Sequence, residues 1–348
     1  MSTIVLTGGG TAGHCTPHLA VIPHLKKYFD TIYYIGSYNG IEKDIIEKAG
    51  IEYFGVSTVK LNRKICLENL SIPRKLIKGV KESGKLLDRL QPSIIFSKGG
   101  FVALPVVIAG KKRNIPIVCH ESDLTIGLAN KISSKFCARV ITSFPETAKT
   151  IKNGEYVGSP IRNFADSEKQ NAFNKFGFKG EKPVLLALGG SSGATFINEL
   201  LRASLNDLLP NFDIIHIVGK NNLAKITKPG YYQCEYLSDI ETAYAICSVC
   251  LSRAGSNTVF ELLSQNIPTL LIPLPKGVSR GDQVDNAEYF ERLGLVYVLE
   301  QNKATRQSLS LYLSAIYANR FNVKRNIKNA NIIDASEKIA RIIADLKR

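Results

Sequence analysis

A strand, a glycine turn and a helix start follow one another near the beginning of the chain and again half a chain later. In the first copy Thr3, Ile4, Val5 and Leu6 make a short apolar run that breaks at Gly8-Gly9-Gly10-Thr11-Ala12-Gly13-His14. Pro17 then heads a helical pattern carrying Leu19, Ala20, Val21, Ile22 and Leu25. Glycine lets the backbone turn tightly and approach a ligand without a Cβ in the way. Proline suits the first helical turn, where its missing N–H is not needed. In the second copy an apolar run over residues 183–188 enters Gly189-Gly190-Ser191-Ser192-Gly193-Ala194, and a helix follows from Phe196. Such turns aim backbone N–H groups at an anion or a sugar. Two of them imply two doubly wound, Rossmann-like α/β domains with parallel sheets, facing across a cleft.

The rest of the chain agrees. Its 348 residues are enough for two ordinary domains. Hydrophobic content of 45% with 22% charged residues is that of a globular protein with real cores. Short β-branched runs at 31–35, 52–56, 93–96, 115–119 and 139–143 alternate with helical patterns such as 41–49 and 74–90. A break at Gly158-Ser159-Pro160-Ile161-Arg162 leads into a polar stretch that lasts through Lys182. Strand patterns then recur at 213–218, 249–252, 269–273 and 295–299. Residues 331–347 read as a closing helix with Ile332, Ile333, Ala335, Ile339, Ile342 and Ile343 in an apolar stripe.

Charge narrows the partners. The formal net charge is +15, which favours phosphate-bearing ligands, anionic membranes or nucleic acid. The segment from Lys60 to Arg89 holds nine basic side chains against three acidic ones, interleaved with Leu70, Ile72, Leu76, Ile77, Val80, Leu86 and Leu87. A basic amphipathic segment of this kind rests in the headgroup layer of an anionic membrane; the bland alternative is a surface helix with a core-facing stripe. No aromatic side chains lie among these charges to stack bases, so nucleic acid is not expected. No apolar run approaches the roughly 20 residues of a bilayer span, and residue 3 already opens a strand, leaving no secretory signal. Seven cysteines, mostly inside apolar patterns, imply reduced thiols in the cytoplasm. Cys247-Ser248-Val249-Cys250 has no second CxxC or histidine pair nearby, which favours core packing over zinc or redox chemistry.

The chemistry-bearing residues cluster after strands. The first turn meets the dinucleotide spacing only loosely, and no acidic residue closes the strand at 31–36. His14 is either a structural hydrogen-bonding residue or a general base, imidazole being the side chain that titrates nearest neutrality. His14 and His18 are four apart, but Pro17 starts a helix between them, so they cannot share a face as a zinc pair. Ser97-Lys98-Gly99-Gly100-Phe101 is a third glycine turn. Cys119-His120-Glu121-Ser122-Asp123 stands at a strand end, where open sheets take ligands; its bland alternative is a turn in which Ser122 or Asp123 caps a helix over 126–132. In the second half Arg253-Ala254-Gly255-Ser256-Asn257-Thr258 follows a strand, with Ser256 placed to cap a helix whose first turn can hold phosphate. Glu261 on that helix can accept from a ribose diol or simply be solvated. Asp282-Gln283-Val284-Asp285 contains no D-x-D triplet, so no carboxylate-held metal is expected.

These segments, in this order, closely resemble the peptidoglycan N-acetylglucosaminyltransferases of the MurG type. The similarity runs through residues 9–17, 97–101, 120–131, 158–162, 189–194, 253–261 and 283–287. The resemblance implies a GT-B fold. Residues 1–162 with 332–348 would bind the acceptor and the membrane, and residues 163–331 would bind UDP-GlcNAc. It places Thr11, Ala12 and Gly13 on the acceptor and sugar side, and Arg162 and Ser191 on the nucleotide. Leu237 would meet uracil through its backbone, Ser256, Asn257 and Thr258 the diphosphate, Glu261 the ribose and Gln283 the GlcNAc hydroxyls. Two positions depart from the family pattern. Ala12 stands where many members have glycine. Asp123 stands where many have a sugar-contacting asparagine, which leaves Asp123 as a second candidate base beside His14.

The implied reaction is inverting transfer of GlcNAc from UDP-GlcNAc to the C4 hydroxyl of undecaprenyl-diphosphate-linked N-acetylmuramoyl-peptide, at the cytoplasmic face of the cell membrane by a peripheral protein. No cofactor is required by it and no protein-held metal; assistance from a free divalent cation stays open. The alternatives are a related transferase acting on another lipid acceptor, and a non-catalytic, membrane-docked UDP-sugar-binding protein.

Overall fold

The computed structural model describes residues 2–58, 72–164, 167–190, 193–278 and 280–348. The chain divides into two compact units, Met1–Arg162 with Ile333–Arg348, and Asn163–Ile332.

The first unit holds a seven-stranded sheet of β1 (Thr3–Thr7), β2 (Thr31–Ser37), β3 (Glu52–Val56), β4 (Ile94–Ser97), β5 (Ile117–Glu121), β6 (Arg139–Thr142) and β7 (Gly154–Tyr156). Their order is β3-β2-β1-β4-β5-β6-β7, with every pairing parallel. The central β1 is covered on both faces, which is why it reads as a continuous apolar run rather than an alternation. Ile4 and Leu6 point into one core with Val21, Ile22 and Leu25 of the helix Thr16–Leu25. Val5 points into the other, with Leu87 of the helix Ile72–Leu90 and Val106 and Val107 of the helix Leu104–Lys112.

The second unit repeats the plan with β8 (Val184–Leu188), β9 (Asp213–Ile217), β10 (Tyr231–Cys234), β11 (Cys247–Ser252), β12 (Thr269–Leu271) and β13 (Tyr297–Val298). The order is β10-β9-β8-β11-β12-β13, again parallel. Leu185 and Ala187 face the helices Thr195–Ala203 and Arg306–Ala318, while Val184, Leu186 and Leu188 face the helices Lys169–Phe176 and Ile240–Ile246.

Two expected boundaries move with consequences. Strand β5 runs over Ile117–Glu121 rather than 115–119, because Pro116 lacks the N–H a ladder needs and the strand starts after it. The consequence is that His120 and Glu121 are strand residues and not members of a turn. The closing helix is Ser336–Asp345 and omits Ile332 and Ile333. Asn331 is left-handed (φ 49°), and the Asp334 carboxylate accepts from the backbone N–H of Ile161 and Ser336 and from the Ser336 hydroxyl, so the chain bends there. Ile333 is accordingly 66% exposed, while Ile339, Ala340, Ile342 and Ile343 pack on the helix Thr16–Leu25. Cys247 and Cys250 lie buried in β11 as free thiols, that of Cys247 pushed up to about 12 by burial.

Of the basic segment, residues 60–71 lie outside the described residues. The remainder is the helix Ile72–Leu90, which buries Gly79, Ser83, Gly84 and Leu87 and exposes Arg74, Lys75, Lys78, Lys81, Lys85 and Arg89. A Cβ at Gly79 would strike the Ser57 carbonyl, so close approach of this helix to the sheet requires glycine there. Among the described residues no helix is long and apolar enough to cross a membrane.

The closing helix is the chain's last contribution to the first core. Ile339 is fully buried in it, and Ile339→Ala should cost about 2–4 kcal/mol through lost contacts and a residual cavity. Urea denaturation should show the midpoint falling with little change in slope.

Candidate functional site

In the first unit β1 and β4 are neighbours at which the strand order reverses, the place where open α/β sheets take ligands. Thr7 and Ser97 are paired at their ends, so the turn after β1 and the turn after β4 leave the sheet side by side. They are packed backbone to backbone. Gly100 has φ 76°, and a Cβ on it would run into the Gly9 carbonyl. The loop after β1 tightens into a 3₁₀ turn at Ala12–His14 before the helix Thr16–Leu25. Thr11 and Gly13 are exposed on it, whereas the Ala12 side chain is turned into the core.

His14 is half-buried, and its Nδ1 lies 3.1 Å from the Lys98 carbonyl oxygen. A carbonyl only accepts, so Nδ1 carries the proton and donates. In the neutral ring Nε2 is then the atom with the lone pair. The bond thus crosses from the β1 turn to the β4 turn and selects the tautomer that a base needs.

Lys98 itself is 1% exposed. Its ammonium donates to His120 Nδ1 at 2.5 Å and to Ser122 Oγ at 2.6 Å. His120 Nε2 lies 3.1 Å from the Gly158 carbonyl, so it donates there and leaves Nδ1 as the acceptor Lys98 requires. Burial pulls the Lys98 amine down to about 7 against the opposing pull of Glu121 and Asp123. Burial, seconded by the Lys98 charge, holds His120 well below the usual imidazole range. The same two causes bring His18 down to about 3.

The cluster His120-Glu121-Ser122-Asp123 therefore divides. His120 and Glu121 face inward. The Glu121 carboxylate accepts from the backbone N–H of Asp123 and Gly127 and from Asn130 Nδ2, so it shapes the loop that presents Asp123. Neither Ser122 nor Asp123 caps the next helix, which is Leu128–Ser133 with Gly127 at its N-cap. Gly127 takes that place because its N–H is already held by Glu121.

A second buried carboxylate, Glu42, was not singled out by the sequence pattern. Fully buried beside the first turn, it accepts from the Gly10 N–H at 3.3 Å and from the Ser37 N–H and hydroxyl at 3.1 and 2.5 Å. A Cβ at Gly9 or Gly40 would strike it. Gly9 in the turn and Gly40 before the next helix thus make room for a protein carboxylate.

In the second unit the corresponding switch point lies between β8 and β11, where Leu188 pairs with Ser252. Ser191 lies outside the described residues. Gly190 (φ 83°) and Gly193 (φ 76°) bend the chain into the helix Thr195–Ala203. Asn198 on that helix donates to the Val218 carbonyl and accepts through Oδ1 from His216 Nε2 at 3.0 Å, while His216 Nδ1 takes the Tyr231 hydroxyl at 2.9 Å. This network locks the glycine-turn helix to β9 and β10, and nothing in the local motif announced it.

After β11 the helix Ser256–Ser264 has Gly255 at its N-cap, correcting the expectation that Ser256 caps it. Ser256 is buried, and Asn257, Thr258 and Glu261 are half-buried along its first turns. Arg253 turns away from them, donating to the Ile272 and Pro273 carbonyls. Gln283, on the helix Asp282–Arg292, accepts through Oε1 from the Leu274 N–H at 3.0 Å. The Leu237 side chain is buried after β10. Arg162 closes the first unit, half-buried beside Ile161. Among the described residues no group of three or more His, Cys, Asp or Glu side chains is placed to hold a metal ion.

Comparison with known proteins finds one family domain in each half of the chain, the second running on into the closing helix that packs in the first unit. The glycosyltransferase family 28 N-terminal domain matches residues 4–142 and the family 28 C-terminal domain residues 184–346. The chain is 45% identical over 349 residues to the UDP-N-acetylglucosamine–N-acetylmuramyl-(pentapeptide) pyrophosphoryl-undecaprenol N-acetylglucosamine transferase of Clostridium botulinum (strain Kyoto / Type A2), covering 99% of each chain. It is 42% identical to the protein of the same name from Lachnospira eligens, again over 99% of each. Among solved structures, MurG from Acinetobacter baumannii superimposes with a TM-score of 0.76 at 21% identity, covering 99% of this chain and 100% of that one. The calicheamicin glycosyltransferase superimposes with a TM-score of 0.72 at 14% identity, covering 99% and 98%.

Burial brings His216 down to about 3 from an ordinary 6.5. Between those values the unfolded chain binds a proton that the folded chain refuses, so stability falls as pH drops from 6.5 toward 3. The slope for one such group is about 1.4 kcal/mol per pH unit. Urea denaturation across this range should show His216→Gln flattening the pH dependence by that amount.

Proposed function

The chain belongs to glycosyltransferase family 28, and within it to the UDP-N-acetylglucosamine–N-acetylmuramyl-(pentapeptide) pyrophosphoryl-undecaprenol N-acetylglucosamine transferases; from that membership we propose how its own residues perform the reaction. It is a UDP-GlcNAc-dependent glycosyltransferase of GT-B fold that converts the lipid-linked muramoyl-peptide to the disaccharide form used in peptidoglycan synthesis. Identity of 45% across 99% of both chains carries this assignment over transfer to another lipid acceptor or mere UDP-sugar binding.

The chemistry is an inverting displacement. The C4 hydroxyl oxygen of the acceptor attacks the anomeric carbon of GlcNAc, the bond from that carbon to the UDP phosphate oxygen breaks, and the hydroxyl proton passes to His14 Nε2. The resulting imidazolium keeps its Nδ1–H on the Lys98 carbonyl, which stabilises the charge formed in the step. Thr11 and Gly13, exposed on the same turn, and the backbone of Ala12 line the acceptor. The charge developing on UDP falls to the N-terminus of the helix Ser256–Ser264, through Ser256, Asn257 and Thr258, and to Ser191. Glu261 accepts from the ribose diol and the Leu237 backbone meets uracil. Arg162 contacts the nucleotide. Gln283, its Oε1 engaged by Leu274, turns its amide N–H₂ to the sugar hydroxyls.

The acceptor is a membrane lipid, and the exposed cations of the helix Ile72–Leu90 suit an anionic leaflet at the cytoplasmic face. Each exposed Lys or Arg near such a surface contributes about 1 kcal/mol. Replacing Lys75, Lys78 and Lys81 with Glu should therefore sharply reduce sedimentation with anionic vesicles, and unchanged sedimentation would remove this helix from the account.

Labelled UDP-GlcNAc with lipid-linked muramoyl-peptide, with and without a chelator, tests transfer and any need for a free divalent cation. Transfer to diacylglycerol-like lipids alone, or binding without transfer, would support the rival readings. His14→Ala should lose most turnover, of the order of 100-fold or more, with UDP binding nearly intact. Near-normal turnover in that variant together with an inactive Asp123→Asn would move the role of base to Asp123.

A further inference from the structure

Lys98 is a strange residue to bury. It stands one position past β4, 1% exposed, with its long side chain driven between the ends of β4 and β5 rather than out to solvent. An isolated ammonium in such a place carries a penalty of several kcal/mol, and the described residues offset it with only two direct acceptors, His120 Nδ1 and Ser122 Oγ. Glu121 and Asp123 act on it through space. Both of its direct acceptors belong to the strand end and loop that present Asp123. Its own carbonyl, meanwhile, receives the Nδ1–H of His14. A single residue therefore touches, by side chain and by main chain, the two parts of the unit that carry the rival candidates for base.

We propose that Lys98 is the positioning residue of the acceptor side: its buried ammonium pins the Ser122–Asp123 loop to the end of β4 and thereby holds the carbonyl that fixes the tautomer and orientation of the His14 ring. The role rests on the transferase assignment above for its consequence in turnover, but not for its structural content. Lys98 touches no substrate and donates no proton to one.

The role is pH-dependent. The charged groups facing Lys98 are Glu121 and Asp123 from β5 and its loop, and the imidazoles facing it are His120 from β5, His18 from the helix Thr16–Leu25 and His14 from the first turn. With the amine brought down to about 7 by burial, the anchoring charge is present below that value and lost above it. Turnover should accordingly decline on the alkaline side of neutrality while UDP-GlcNAc binding does not.

The test uses the whole chain and Lys98→Met, which keeps an unbranched stem and removes the donor. Turnover should fall about 10- to 100-fold, the scale of a misplaced catalytic group, with the KM for UDP-GlcNAc within about twofold of wild type, and the alkaline limb should disappear. In ¹⁵N spectra without substrate, the His14 and His120 rings should go from single tautomers to exchanging mixtures. Should Lys98→Met fail to fold, Ser122→Ala serves: with one of two acceptors gone, the ammonium is less favoured and the alkaline limb should move to lower pH. Wild-type turnover and alkaline limb in a folded Lys98→Met, or an unmoved limb in Ser122→Ala, would overturn the role. Absence of transfer by wild type would sink the transferase assignment instead, leaving the ¹⁵N comparison to judge Lys98: unchanged tautomers in the variant overturn it.

Discussion

The hydrogen bond from His14 Nδ1 to the Lys98 carbonyl exists because β1 and β4 are adjacent, although 84 residues separate its partners. A parallel sheet in which β2 and β3 are laid on one side of β1, and β4 to β5 on the other, forces the turns after β1 and β4 out side by side. Nothing then lies between their backbones. Glycine at position 100 is the price of that contact, since any Cβ would meet the Gly9 carbonyl. The tautomer of one imidazole is thus a consequence of strand order.

The first unit also shows how buried charge is handled when water is excluded. Glu42, Lys98 and Glu121 are all nearly inaccessible. Each carboxylate is met by backbone N–H groups of a turn, and the ammonium by a histidine nitrogen and a hydroxyl. Leaving a charge buried without partners costs far more than a neutral polar group does. These residues therefore specify loop conformation strongly: a loop that moved would strand a charge. The first glycine-rich turn is tied at the Gly10 N–H to the Glu42 carboxylate beneath it.

That division explains what the chain discloses about itself in one dimension. The central strands were legible because parallel strands covered on both faces are unbroken apolar runs, as in residues 4–6 and 184–188. His14 drew attention because it ends a glycine turn. The burial of Lys98 and Glu42 was not legible: in the linear pattern a lysine beside two glycines, or a glutamate opening a helix, looks solvated, and only the fold reveals that each is enclosed. His120 and Glu121 drew attention for their chemistry and were placed just past the strand end, but Pro116 displaces the strand so that both belong to it and face inward. His216 was invisible, its partners Asn198 and Tyr231 lying 18 and 15 residues away.

The two units solve the handling of charge differently, and Arg253 shows where. An arginine at the C-terminal end of β11, one turn before a helix, is the residue one would expect to clamp a diphosphate. Instead its guanidinium serves the carbonyls of Ile272 and Pro273, and burial draws it down to about 10. Its task is to tie the end of β11 to the end of β12, which sets the height from which the helix Ser256–Ser264 departs. Under the proposed assignment, a diphosphate at that helix would meet aligned backbone dipoles, whose partial positive charge is fixed in direction and needs no reorganisation as the leaving group gains charge. A flexible cation would hold the ground-state diphosphate as firmly as the departing one. Oriented N–H groups can be placed to favour the second, and that selectivity is what lowers a barrier.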